Sequence, residues 1–464
     1  MKKNILEVEE NNFLEESPII ELPALVIILI SCISFLIGLS ILYFPLYISV
    51  GIFFGIALSV IIFFKLYVGL LVFLIGIFFH PTFWFRELAV ISPAKSLAFL
   101  VLLIWLFHAI IYRDFKLVKA PQNLLVLSFF SIALLSCFKW PDFSLPYFFE
   151  LAPKAIILYF AIVNIIKTRK EVIFLTWFLC FITVTLSLIG IYQYFHGIGY
   201  QQDMMLRIKG LSHDPNYFAF ESIIPLPVVI SLLLHYRKLN LRILFFIMTL
   251  FIITGIALTY SRGGFVMLLF VLLFTVGGRF WKKSNFIASI IFIVLLLIIV
   301  GLIIPSIYWE RVGSILNLSD PAINERVIAA KAGIEMALKN PFRGVGWGIS
   351  QWEFLKESFG AGNRPHKLLD AHNTFILIAA EMGIGGLIFM LFLFIWSFKY
   401  FRQAKKKFLE KKDFLLADIT SGFQVSLIIC LVGGMFITYL RILQFWVIVP
   451  MAVMLRHLSK KENR

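Results

Sequence analysis

The sequence predicts an all-α polytopic integral membrane protein, and three observations carry that expectation. Hydrophobic residues make up 61% of the 464 positions and charged residues only 15%. The apolar residues are gathered into repeated runs close to the roughly 20 residues that a bilayer-spanning helix needs. Those runs are continuous rather than alternating, which argues against a transmembrane β-barrel. A soluble chain of this length has no interior large enough to hide so much apolar surface.

The runs lie near 23–43, 46–64, 66–80, 95–112, 122–138, 147–166, 172–195, 217–235, 241–259, 263–278, 285–305, 372–398, 416–438 and 441–455. They amount to about 14 spans, with 12 the alternative count. Cys32, Cys137, Cys180 and Cys430 all fall inside runs, without metal-ligand spacing, and read as small core residues. The first 22 residues are rich in glutamate, and no small-residue cleavage site follows the first run, so no cleavable signal peptide is expected.

Orientation follows from the basic residues. With the N-terminus inside, Arg113 with Lys116 and Lys119, Lys167 with Arg169 and Lys170, Arg237 with Lys238 and Arg242, and Arg279 with Lys282 and Lys283 all fall on the cytoplasmic side. The seven cations from Lys399 to Lys412 and those of the C-terminus join them. The net charge of +16 is therefore a topology signal and not a nucleic-acid footprint. The run Lys405-Lys406-Lys407 with Lys411-Lys412 reads as a cytoplasmic anchor or as an attractor of anionic lipid. The expected organisation is a cytoplasmic acidic tail over 1–22, membrane helices over 23–305, one long extracytoplasmic loop over 306–371, membrane helices over 372–456 and a cytoplasmic tail over 457–464.

That long loop is the one extended polar interval, and two arginine-bearing turns share its side. Within it, 323–339 has helical periodicity, with Ile323, Val327, Ala330, Ile334 and Ala337 on one face, so it is expected to lie on the membrane surface. Asn340-Pro341 stops that helix, and a glycine-rich turn over 343–348 follows.

Arg262 stands at a helix start as a snorkelling anchor or, beside the uncovered amides that Gly263 and Gly264 leave, as an anion site. Arg207 is a solvated loop charge or a phosphate ligand. Asp214-Pro215-Asn216 reads as a helix cap that can also shape a site. His372 is an interfacial residue or a general base, with Asp370 or Asn373 capping the span behind it. Glu381 lies deeper in the same helix and is a functional suspect there. Gly383, Gly385 and Gly386 mark close helix packing or a break. The sequence contains no phosphate-binding P-loop, no nucleophile elbow and no metal-ligand spacing. Convergent arginines and one histidine suit a lipid-anchored diphosphate neutralised by guanidinium groups.

These residues resemble the O-antigen ligase and O-antigen polymerase superfamily of bacterial envelope enzymes. The resemblance is carried by Arg207-Ile-Lys-Gly210 with Asp214-Pro-Asn216, by Leu258-Thr-Tyr-Ser261-Arg262-Gly-Gly264, by Arg326 with Asn340-Pro341-Phe-Arg-Gly344-Val-Gly346, and by Ala371-His372-Asn373 with Glu381-Met-Gly-Ile-Gly-Gly386. It implies a fold like that of C-type glycosyltransferases and a metal-independent, inverting transfer without cofactor. The donor would be a glycan on undecaprenyl diphosphate at the outer face of the bacterial inner membrane, in surface polysaccharide or lipopolysaccharide biosynthesis. The acceptor would be a glycan, a lipid or a protein. On that model Arg207, Arg262 and His372 are catalytic: the arginines hold the diphosphate and His372 deprotonates the acceptor hydroxyl. Arg326, Asp214, Asn216, Ser261, Asn373 and Glu381 would contact substrate. A count above 12 spans and the acidic tail depart from the ligase pattern. The rival readings are a secondary transporter of a small anion such as bicarbonate and a protein O-oligosaccharyltransferase. Against the transporter, the polar groups gather at one membrane edge rather than at the midplane, and no half-repeat is found.

Overall fold

A computed structural model of the chain describes residues 46–79, 93–113, 117–202, 205–212, 214–277, 313, 321–348, 372–440 and 442–461. The expected spans 23–43 and 285–305, the tail 1–22 and the loop residues other than 313 and 321–348 lie outside the described residues. The chain divides into two units at Lys65 and Leu66. Of the first, the described part is helix α1 (Leu46–Phe64).

The second unit is mostly helical. Its elements are α2 (Leu66–Phe78), α3 (Pro93–Ile111), α4 (Pro121–Cys137), α5 (Pro141–Ile165), α6 (Arg169–Phe195), strands β1 (Tyr200–Gln202) and β2 (Met205–Arg207), α7 (Pro215–Ile223), α8 (Leu226–His235), α9 (Leu239–Ala257), α10 (Arg262–Leu272), α11 (Pro321–Lys339), α12 (Thr374–Glu410), α13 (Phe414–Gly433) and α14 (Phe445–Lys460). Among the described residues, seven helices are long and apolar enough to cross a membrane, with α7 and α8 counted as one. The helices of α2, α4 and α10 are shorter apolar segments. The 16-residue α14 is a core element: nearly every residue from Phe445 to Leu455 is buried, and Trp446 lies against Phe129 and Phe130 of α4.

Local chemistry explains the helix ends. Thr168 and Glu171 close a reciprocal capping box at the start of α6. Pro225 and Pro227 divide the expected span 217–235 into α7 and α8, because neither has an N–H to continue the ladder. The hydroxyl of Ser426 on α13 donates to the freed Ile224 carbonyl at 2.6 Å. α8 and α13 approach so closely that a Cβ on Gly422 would sit 2.7 Å from Val228 Cα. Packing by small residues is what holds helices together where lipid is as apolar as leucine.

The described loops sort to two ends of this unit. At one end, Arg169 makes a two-pronged ion pair with Asp413 at 2.7 and 3.1 Å, His235 Nδ1 lies 2.7 Å from Asp418 Oδ2, and Lys411 and Lys461 tie neighbouring helix ends. These are segments the charge pattern groups together. At the other end, Lys139 donates to Asn340 at 2.8 Å, and the starts of α7, α10 and α12 gather.

The expected span 372–398 is the first part of a 37-residue helix, α12, with a break at Gly383 (φ +76°). The turn after α11 fills that break. The amides of Val345 and Gly346 donate to the carbonyls of Ala380 and Glu381 at 2.7 and 3.1 Å, and Ile384 donates to Pro341 at 2.7 Å. Gly344, at φ +66°, leaves no room for a side chain against the Glu381–Met382 peptide. Trp347 follows, fully buried beside Phe148.

This docking corrects the expected face of the amphipathic helix. α11 packs on α12 through Ala329, Ala332 and Met336, while Val327, Ile334 and Leu338 are exposed. Small residues permit close approach to α12, and the larger apolar side chains are left on the open face.

Gly344→Ala is expected to destabilise the protein by roughly 2 kcal/mol or more, adding a steric clash to left-handed strain. Gly197→Ala, at φ +66° with open space around it, should cost only the strain, about 1–2 kcal/mol. Thermal unfolding of the two variants checks the difference.

A second test concerns Asp413. Burial pushes its carboxyl up, but the hydrogen-bonded Arg169 guanidinium and the Leu416 amide outweigh that and hold it below the usual carboxylate value. A depressed carboxyl contributes stability that is complete above its unfolded value, about 3.9, and lost as pH falls through the folded value. With Arg169 half exposed, the contribution is expected to be below about 1 kcal/mol. Asp413→Asn keeps a capping side chain, so the melting difference between variant and wild type should shrink as pH drops below about 4.

Candidate functional site

Arg207 closes the β1–β2 hairpin, paired with Tyr200, and is only 4% exposed. Its Nε donates to the Thr259 carbonyl at 2.8 Å and its Nη2 to Asn216 Oδ1 at 3.1 Å. The reading of Arg207 as a solvated loop charge is therefore overturned, because a buried guanidinium needs partners and finds them at two helix ends. The adjacent Ile208 amide donates to the Leu258 carbonyl at 3.2 Å, so β2 and the end of α9 are joined by backbone as well. Gly210 is needed at φ +55° with the Phe218 ring against it, and its carbonyl accepts from Gln193 at 2.9 Å.

Asp214 caps α7, accepting from the Asn216 amide at 2.7 Å, with Pro215 at the first helical position. Its side chain is a cap, as one of its two readings expects. Asn216 is the hub of the cluster. Its Oδ1 accepts both from Arg207 and from the Ser261 hydroxyl, the latter at 2.8 Å. Ser261 caps α10 by accepting from Gly264 N–H at 3.1 Å.

The expected open helix start beside Arg262 is closed at one of its two glycine amides. The Gly264 amide is occupied by Ser261, and Gly264 is pressed against Ala219 of α7. Arg262, half-buried, opens α10 directly behind this cap. Gly263 faces Phe436, whose Cβ would lie 3.7 Å from a Cβ built there.

Phe436 belongs to the segment 434–440, which no sequence signal beyond the Gly433-Gly434 pair marked. The expected span 416–438 ends at Gly433 as α13, and this segment turns back to meet α12. Gly434 accepts from the Thr374 amide at 2.7 Å, Ile437 accepts from the Thr374 hydroxyl at 2.7 Å, and Tyr439 donates its amide to that hydroxyl at 3.0 Å. The Tyr439 ring stacks on Phe220 of α7 with centroids 5.0 Å apart. The segment thus joins the starts of α7, α10 and α12.

His372 stands immediately before α12, half-buried, with φ +45°. Asn373 caps the helix, accepting from the amides of Phe375 and Ile376 at 3.0 and 3.1 Å; Asp370 lies outside the described residues. Tyr260 occupies the same place in the other turn: φ +51°, one residue before the Ser261 cap. Burial, then its hydrogen bond with Tyr194, raises the Tyr260 hydroxyl above the ordinary tyrosine value. Non-glycine residues in the left-handed region cost about 1–2 kcal/mol and concentrate at functional turns.

Glu381 is 2% exposed at the α12 break, about two turns beyond His372, and its carbonyl is held by Gly346. Gly383 marks a break rather than only close packing. Arg326 is half-buried on α11. Met336 clusters with Val345, Leu377 and Ala380, and the Pro341 carbonyl accepts from Ile384, so the end of α11 and the turn after it lie against the first part of α12. A separate buried pair is formed by Glu221, which accepts from the Ser212 hydroxyl. Sequence reading did not single out Glu221, since it sits inside an apolar run with nothing to mark its partner.

The fold and these turns define a multi-pass helical membrane protein with paired arginines and a histidine at one end. Residues 243–391 match the family model described as O-Antigen ligase, which places that stretch in the O-antigen ligase superfamily. The matched stretch holds Ser261, Arg262, Arg326, His372, Asn373 and Glu381, and stops short of Arg207, Asp214 and Asn216. A search of curated proteins finds no match.

Asn216→Leu removes the acceptor shared by Arg207 and Ser261 and is expected to cost about 1–3 kcal/mol. Asn216→Asp keeps the acceptor and should cost less. Thermal unfolding in detergent checks the order.

Proposed function

We propose that the protein transfers a glycan from an undecaprenyl-diphosphate carrier to an acceptor hydroxyl at the outer face of the inner membrane. The observation that carries this reading is the O-Antigen ligase match over 243–391, together with the hydrogen-bonded cluster that ties Arg207 to the start of the Arg262 helix. The family implies a glycosyltransferase-type enzyme acting on a lipid-linked glycan in a membrane.

In the proposed reaction, the acceptor oxygen attacks the anomeric carbon from the face opposite the carrier, inverting that centre. The bond from that carbon to the diphosphate oxygen breaks, and its electron pair leaves with the diphosphate. The proton of the acceptor hydroxyl passes to His372. The guanidinium groups of Arg207 and Arg262 stabilise the charge that develops on the leaving group, so no metal is required. At least two of the donors of Arg207 are committed to Thr259 and Asn216. Its part is therefore a fixed positive charge whose position does not have to be organised as the reaction proceeds. Arg326, on the helix packed against α12, is a further contact for the glycan or diphosphate in this reading. The caps Asp214, Ser261 and Asn373 position the turns that carry the charged groups, and Asn216 links two of them.

His372→Ala and Arg262→Ala are each expected to lower transfer at least about a hundredfold, with the protein still inserted and abundant. The assay uses a reconstituted lipid-linked donor, and wild-type product from both variants would sink the proposal. Sidedness is checked in a background without native cysteines. A cysteine at Arg343 should react with an impermeant probe from outside, and one at Lys406 only from inside.

A further inference from the structure

The charged half of α12 carries a feature that the transfer reaction does not use. From Met382 to Phe398 the helix has no charged residue; from Lys399 onward it is basic. Beyond the break at Gly383 the helix runs unbroken from Ile384 to Glu410, about 40 Å, against the roughly 30 Å of a hydrocarbon core. Its basic end therefore projects past the membrane. At the junction a groove of about 730 Å³ opens between α12 and Gln424 of α13.

Lys399, Arg402 and Lys406 line the groove at positions i, i+3 and i+7, one stripe of the helix, and Lys405 joins them. No acid lines it. The nearest recorded carboxylate, Glu410, lies 3.9 Å from Lys406 and is itself well exposed. Exposed apolar side chains lie along the same stripe: Ile395 and Phe398 on the membrane side, Leu409 beyond. Gln403, which lines the groove beside these cations, is fixed by Arg456 of α14, which donates to it at 2.7 Å and lies over the Tyr400 ring.

We propose that this groove binds the headgroup of an anionic glycerophospholipid. The phosphodiester sits among Lys399, Arg402 and Lys406, and the acyl chains run back along Ile395 and Phe398. The apolar rim is what favours an amphiphile: a free phosphate would use the cations and gain nothing from Ile395 and Phe398. Basic residues at a membrane boundary each add attraction for anionic lipid, and a pocket that gathers several on one stripe adds specificity to that attraction. The groove is at the end of the molecule opposite His372, so it stands or falls separately from the transfer site.

The test uses the full chain in nanodiscs of mixed phosphatidylglycerol and phosphatidylcholine, released into native mass spectrometry to count retained lipid. The wild type is expected to retain phosphatidylglycerol over phosphatidylcholine by about tenfold or more. The variant K399Q/R402Q/K406Q should lose that preference while keeping its melting temperature, since all three side chains are exposed. The control K407Q/K412Q/K460Q removes the same charge away from the groove and should keep the preference. Equal loss in both triple variants, or no loss in the first, overturns the site. Inorganic phosphate displacing the lipid as well as a short-chain phosphatidylglycerol does would reassign the groove to free phosphate. Should the triple variant not purify folded, Arg402→Gln and Lys406→Gln singly read the same preference, and two unchanged singles overturn the proposal.

Discussion

The constraint on which this end of the molecule depends is the burial of one guanidinium. Arg207 is almost fully removed from solvent, and a charge in that position is tolerated only if its donors are met. Meeting them fixes the end of α9 through the Thr259 carbonyl and the start of α7 through Asn216. Because the same Asn216 oxygen accepts from Ser261, the start of α10 is set as well. A chain of three side chains thus dictates where Arg262 leaves its helix. In a bundle whose other contacts are nearly all apolar, such a chain specifies one arrangement where packing alone would allow several.

The same local device is used twice. In each of the two turns a non-glycine residue in the left-handed region precedes a side chain that caps the next helix: Tyr260 before Ser261, and His372 before Asn373. The left-handed residue turns the chain sharply, and the cap meets the amides that the new helix leaves open. The charged or titratable group beside each cap is thereby held by backbone geometry, not by a long flexible side chain alone. Segment 434–440 then brings the two turns into register, with Phe436 against Gly263 and three hydrogen bonds to Thr374.

Much of this was legible in the residues. Asp214-Pro215 and Asn373 announce helix starts because a short acceptor side chain ahead of an apolar run has few other uses. The glycines after Glu381 announced a break or a close contact. What could not be read was the partner of each polar group, since a backbone carbonyl such as that of Thr259 leaves no mark in a sequence. The hairpin around Arg207 is too short to show alternation. The face of α11 was misjudged for a different reason. In lipid, apolar side chains do not distinguish the inside of a bundle from its outside, so Val327 and Ile334 said nothing about direction. The small residues Ala329, Ala332 and Gly333 did carry that information.

The break at Gly383 shows how one helix can serve two tasks. An unbroken α12 would transmit any tilt of its long basic half directly to the turn bearing His372. At Gly383 the ladder is interrupted, and the carbonyls of Ala380 and Glu381 are satisfied by the turn after α11 instead. α12 as a whole packs on α4, α11, α13 and α14, and its first part is tied by hydrogen bonds to the turn after α11 and, through Thr374, to segment 434–440. Gly344 and Gly383 make this exchange possible, because each lets two backbones approach where a side chain would stand between them. The turn bearing His372 is held through Asn373, which caps α12, and Thr374, which binds segment 434–440, and the break at Gly383 separates that turn from the basic half of the helix.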